Sequence, residues 1–179
     1  MSDLKLILPD RRHKEQVEEY KRVMLENNSE MDGCGSLGKD GFENWLKRCV
    51  LFRKGKNLPD GYVPATQYIA VRKSDGKIVG MLQIRHTLSD YLFRVGGHIG
   101  YSVAVDERRK GYATEMLRIG LKKCKRLGIE DKVLVTCINT NTASEKCIRN
   151  NGGVFENEVE HNCAEHNEIE IIKRFWIKI

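Results

Sequence analysis

No apolar run in this sequence approaches the roughly 20 residues that span a bilayer, so a membrane-embedded protein is not expected. The opening residues Met1-Ser-Asp-Leu-Lys5 lack a basic segment followed by an apolar one, and no signal peptide is expected there. Six cysteines (Cys34, Cys49, Cys124, Cys137, Cys147 and Cys163) occur without any C-x-x-C spacing. Several fall at apolar positions, as small buried thiols do, which points to a reduced, cytoplasmic setting. Prolines number three, and Pro59 and Pro64 mark the polar stretch 53–64 as surface loop. Repeats and low-complexity tracts are absent. What remains, at 40% apolar and 31% charged, is enough for one globular domain over 1–179 with a proper core. A pI near 9.0 raises the question of nucleic acid, but acidic residues are well mixed through most of the chain.

The basic excess is concentrated in one place. Residues 107–126 hold eight basic side chains against two acidic ones, a surplus of six that equals that of the whole chain. The segment follows a strand pattern, with Tyr101, Val103 and Val105 in the stretch 100–105. A charged turn leads to Gly111 and then to a helix with apolar residues at Ala113, Met116, Leu117, Leu121, Cys124 and Leu127. Gly128 supplies the stop. Lysines and arginines at the helix C-terminus are favoured by the dipole, but Arg108, Arg109 and Lys110 sit at the positive end, where a bound anion would explain them.

Around this centre, strands are expected at 4–8, 68–72, 77–86, 132–138, 153–159 and 168–177. Helices are expected at 11–27, 41–51 and 142–151. Residues 73–76 read as a hairpin turn, and 27–40 as a loop. That loop holds Gly33-Cys-Gly35-Ser-Leu-Gly38, a G-x-G-x-x-G string. It follows a helix rather than a strand, so it reads as a flexible glycine loop and not a dinucleotide site.

The string Arg108-Arg-Lys-Gly111-Tyr-Ala113 resembles the Q/R-x-x-G-x-G/A signature of the GNAT superfamily of N-acetyltransferases, and within it a group of small bacterial predicted acetyltransferases. The likeness is good over 68–153. It implies an α/β fold with a mixed, mostly antiparallel central sheet of about seven strands flanked by helices. It also implies transfer of acetyl from acetyl-CoA to a primary amine of a small molecule or peptide by direct attack. On the same resemblance Arg108, Arg109, Gly111, Tyr112, Ala113 and Thr114 form the pyrophosphate cradle, mainly through backbone amides. Backbone groups at Val103 and Val105 hold the pantetheine arm and the oxyanion.

A second string, Asn139-Thr-Asn141-Thr-Ala-Ser144 running to Gly153, resembles the family pattern N-x-x-[AS]-x-x-x-Y-x-x-x-G. It gives Asn141 and Ser144 to the pantetheine arm, while Thr142 and Glu145 also read as a helix capping box. Where many members carry a tyrosine that protonates the leaving thiolate, this chain has Ile148; Tyr101 or solvent is the alternative donor. His98 is the candidate base, with His86 the second choice. His161, Cys163, Glu165 and His166 match no structural-zinc spacing, and no metal is expected. Acceptor choice is expected to lie in residues 27–64 and in the acidic final hairpin, 156–170. A homodimer is expected from exposed strand edges. The other readings are a non-catalytic acyl-CoA sensor or interaction module, and nucleic-acid binding through the basic helix.

Overall fold

The computed structural model describes residues 3–163 and 168–179. Seven strands form two antiparallel sheets. The first has the order β1 (Leu4–Ile7), β2 (Ala65–Arg72), β3 (Ile78–Arg85), β4 (Ile99–Val103). The second has β5 (Lys132–Ile138), β7 (Glu168–Lys178), β6 (Val154–Cys163). Helices α1 (Lys14–Glu26) and α2 (Phe42–Lys54) precede β2, α3 (Tyr112–Arg126) links β4 to β5, and α4 (Thr142–Asn150) follows β5. A π-helical turn, Leu92–Gly96, leads into β4, and a 3-10 turn, Val105–Glu107, follows it.

The first sheet is covered on both faces, which explains why β2 is buried at every position but Arg72 and lacks polar alternation. Successive side chains point to opposite faces. Ile69 and Val71 therefore join Val17, Tyr20, Met24, Phe42 and Trp45 of α1 and α2, while Tyr68 and Ala70 join the opposite cluster. That cluster holds Met116, Leu117, Leu121 and Cys124 of α3, the face expected from their spacing, against Leu82, Ile84, Ile99 and Val103. Met116 and Leu117 are fully buried, and each stabilises the fold by about 2 kcal/mol on burial.

Several bounds differ from the sequence pattern. Strand β2 starts three residues early and β6 runs four residues further. Helix α2 continues to Lys54 and stops at Gly55 in left-handed conformation. Most consequential, β4 ends at Val103 rather than Val105. The Ala104 N–H still bonds the Val79 carbonyl (2.9 Å), but the Glu107 N–H then bonds back to the Ala104 carbonyl (2.9 Å) and coils the chain. Val105 thus lies outside the strand, its side chain against the α1–α2 cluster.

The buried thiols behave as expected: all six cysteines are free, and burial pushes Cys34 and Cys124 up to about 12, which makes them inert at neutral pH. Of the His161-to-His166 string, Glu165 and His166 lie outside the described residues. No cluster of three metal-ligating side chains occurs among the described ones.

Candidate active site

Strand β4 has one paired edge and one open edge. The Arg85 N–H donates to the His98 carbonyl (2.8 Å) and Ala104 to Val79, so within the strand the main-chain groups of the even-numbered residues Gly100 and Ser102 face β3. By the two-residue period, the main-chain groups of Tyr101 and Val103 face the other way. There the neighbour is β5, which pairs with β7 instead. The sheets are tied where the His98 N–H donates to the Leu134 carbonyl (2.8 Å), and no ladder continues beyond that tie. An open edge of this kind offers amides to an extended polar chain and to a developing oxyanion.

The edge leads to the first turn of α3. Gly111 stands at its N-cap in left-handed conformation (φ 80°), and no side chain caps the turn. The first amides of a helix have no intrahelical acceptor, so this end, carrying the positive dipole, fits an anion such as a pyrophosphate. The requirement for glycine is conformational: a Cβ at Gly111 would meet nothing within 4 Å.

Two of the three basic side chains turn away from that end. The Arg108 guanidinium donates to the Val103 carbonyl (3.3 Å) and the Ser29 hydroxyl (2.8 Å), fastening the end of α1 to β4. Lys110 pairs with Glu107 at 2.8 Å, as do Arg72 and Lys77. Glu107 is 3% exposed. Burial alone would raise its pKa, but the hydrogen bonds from Lys110, Lys77 and Arg72 outweigh it and hold the carboxyl at about 2. Two of the three basic residues thus have structural explanations, contrary to the sequence argument from their placement; Arg109 remains exposed, with φ 62°. The Tyr112 hydroxyl accepts from Arg72 (3.2 Å), and Ala113 packs on the core. The Thr114 hydroxyl donates to the Cys147 sulfur (3.3 Å). Asn151, given no role by the sequence reading, donates to the Thr114 carbonyl (3.1 Å) and joins α3 to α4.

On α4, the Asn141 carboxamide oxygen accepts from the Ser144 N–H (2.9 Å). Asn141 is therefore the cap, and Thr142 is not. Glu145, the other half of the expected capping box, instead pairs with Arg149 and Lys173, both at 2.8 Å. The Ser144 hydroxyl lies 2.9 Å from the Tyr101 hydroxyl, so two residues from the separate strings meet across the gap. Burial raises the Tyr101 pKa, keeping its proton on at neutral pH. Ile148 is fully buried core and offers no donor.

The two histidines are placed differently from expectation. His98 is buried, and its Nδ1 accepts from the Leu134 N–H (2.9 Å). The neutral ring must then carry its proton on Nε2, which leaves no lone pair for a substrate proton. Burial, with the charge of Arg85, lowers its pKa to about 4. His98 thus joins the two sheets. The His86 Nε2 lies 2.8 Å from the Thr66 hydroxyl, and burial lowers its pKa too.

On the α1–α2 face of the sheet opens a cleft of about 810 Å³, lined by the loop 30–40, α2, Gly61 to Val63, Gln67, Gln83, Arg85 and the start of the π-helical turn. The glycine loop that reads as flexible is clamped here. A Cβ on Gly33 (φ 72°) would stand 2.1 Å from the Gly100 carbonyl oxygen and 2.7 Å from the Tyr101 Cα, so its backbone lies directly on β4. The buried Gln67 amide donates to the Gly33 carbonyl (2.7 Å), the Ser102 hydroxyl to the Asp32 carbonyl (2.6 Å), and the Trp45 indole to the Cys34 carbonyl (2.8 Å). The visible signal for this arrangement is Gln67, a buried amide in a strand whose positions from Tyr68 to Val71 are apolar or aromatic. Glu156, Glu158, Glu160, Glu168 and Glu170 of the final hairpin are not among the lining residues.

Residues 36–152 match the acetyltransferase (GNAT) family. No curated protein matches by sequence. Solved structures that match over the whole chain include the ribosomal L7/L12 alpha-N-protein acetyltransferase RimL with coenzyme A (17% identity, TM-score 0.71, 100% of this chain and 96% of that one). Another is the Salmonella typhimurium acetyltransferase that modifies the N-terminal serine of L7/L12 (15%, 0.72, 100% and 96%). A third is the Vibrio fischeri ribosomal-protein-S5-alanine acetyltransferase (18%, 0.72, 99% and 94%).

Proposed function

The chain belongs to the acetyltransferase (GNAT) family and uses acetyl-CoA as acyl donor, and from that premise we propose how its residues divide the work. The observation that carries the reading is that the loop 30–40, which lines the 810 Å³ cleft, lies directly on Gly100 and Ser102 of β4, the strand whose other edge is open. The donor enters along the edge. Its pyrophosphate rests on the amides of Gly111 to Thr114, and its pantetheine arm runs past Asn141 and Ser144. Acetyl-CoA supplies the thioester. The amides of Tyr101 and Val103 face the thioester carbonyl and stabilise the oxyanion, and the Tyr101 hydroxyl gives a proton to the departing sulfur. The acceptor is a primary amine of a small molecule or peptide, held in the cleft.

One domain over 1–179 carries both halves. Among the described residues no helix is long and apolar enough to cross a membrane. The reading includes a cytoplasmic location and a homodimer formed through an exposed edge such as β6, the end strand of its sheet. Calorimetric titration with acetyl-CoA tests it: micromolar binding in the wild type, lost in Gly111→Glu, is expected. Absence of binding by the wild type would defeat it.

A further inference from the structure

With His98 tied to Leu134, and His86 held against Thr66 and absent from the lining of the cleft, the acids of the cleft are the remaining candidates for proton acceptor. A substrate ammonium with a pKa of about 10 must be deprotonated before attack. Three acids line the cleft: Glu30, Asp32 and Asp40. Asp40 sits 3.7 Å from Arg48. Asp32 is the one of the three whose own main chain is bonded to β4, its carbonyl accepting from the Ser102 hydroxyl (2.6 Å), and the loop is fixed on both sides of Tyr101, at Gly100 and at Ser102. Asp32 is exposed at the lining of the open cleft, where an entering amine can reach it.

We propose that Asp32 is the general base, receiving the proton of a cationic primary amine that enters the cleft. This rests on the function proposed above. One proton of the ammonium passes to an Asp32 carboxylate oxygen. The freed lone pair attacks the thioester carbon, the C–N bond forms and the C–S bond breaks. The sulfur leaves as thiolate and takes up a proton while nitrogen loses its second one, and Asp32 returns its own proton to water. Gly33 and Gln67 are positioning residues, since they hold the loop and do not touch the amine.

The charged and titratable groups facing Asp32 are Arg85 of β3, Glu30 of its own loop, Glu170 of β7, Tyr101 of β4 and Cys34. Burial raises the Asp32 pKa above the ordinary carboxylate value, Arg85 opposes that, and Glu30 and Glu170 add to it. The activity should therefore fall on the acid side, as the carboxylate takes up a proton.

The test is thiol release from acetyl-CoA between pH 5 and 9, with spermidine, lysine, tyramine and peptides starting in Ala or Ser as acceptors. Asp32→Asn is expected to lower kcat by about 100-fold or more, abolish the acid limb, and leave acetyl-CoA affinity unchanged. Asp32→Glu should restore part of the rate with a shifted limb. Wild-type rate and acid limb in Asp32→Asn would overturn the assignment, as would intact acetyl-CoA binding by the wild type with no turnover of any amine. Loss of acetyl-CoA binding by the wild type would instead defeat the proposed function.

Discussion

The two sides of β4 are built on different principles. The anion end of α3 is made mainly of backbone: the side chains of Arg108, Lys110, Tyr112 and Thr114 all bond to protein groups elsewhere, which leaves the first amides, Gly111 and the exposed Arg109 at the end where a pyrophosphate fits. The cleft wall is made of side chains on a loop whose shape is imposed from outside, by Gln67, Ser102 and Trp45. A backbone site tolerates exchange of most side chains around it. A side-chain site on a clamped loop fails when the clamp fails, wherever the clamping residue lies.

The sharpest way to break that contrast is at Gly33. Alanine there brings a Cβ to 2.1 Å from the Gly100 carbonyl oxygen, at a φ that L-residues rarely adopt. The neighbour is strand backbone and cannot move aside, so the loop must lift. We expect Gly33→Ala to destabilise the protein by about 3 kcal/mol and to abolish transfer. Thermal unfolding with an acetyl-CoA titration decides it. A folded fraction that still binds acetyl-CoA but acetylates nothing would show the two sides to be separable, and wild-type stability would mean that the loop is not clamped.

His98 is next in size. Removing its ring orphans the buried Leu134 N–H, which costs about 2 kcal/mol. If the ring is only a tie between sheets, His98→Ala should lower Tm while the shape of the pH–rate profile stays that of the wild type. Disappearance of one limb of the profile would return His98 to the chemistry.

Legibility in the sequence follows the same division. Helix α3 was readable because its burial is periodic, and Gly111 because a left-handed N-cap needs glycine whatever surrounds it. Strand β5 was readable to the residue, being a short apolar run between a glycine turn and a capped helix. The gap between β4 and β5 follows from no local pattern, since Val133 to Val135 would suit a paired strand equally well. Reading Gly33-Cys-Gly35-Ser-Leu-Gly38 as a flexible loop failed for a related reason. Glycine marks freedom in an exposed turn and close approach in a packed one, and only Gly100 across the contact distinguishes them. The basic run misled in the opposite sense: Glu107 stands beside Lys110 in sequence, but Arg72 and Lys77 come to it from 30 and more residues away.

The arginine pair gives the smallest and most discriminating effect. If the cradle is backbone, neighbouring Arg108 and Arg109 should separate into stability and affinity. Arg108→Ala removes the bonds to Val103 and Ser29 and should cost about 1 kcal/mol of stability while changing the Kd for acetyl-CoA by no more than about twofold, within a few tenths of a kcal/mol. Arg109→Ala removes an exposed charge near the positive end of α3. It should leave Tm unchanged, weaken acetyl-CoA by a few-fold at low salt, and lose that difference as salt screens it. Calorimetry at two ionic strengths reads both. A large, salt-sensitive loss of affinity in Arg108→Ala would mean that its guanidinium swings from Ser29 to the phosphates on binding, and that the cradle is made of side chains after all.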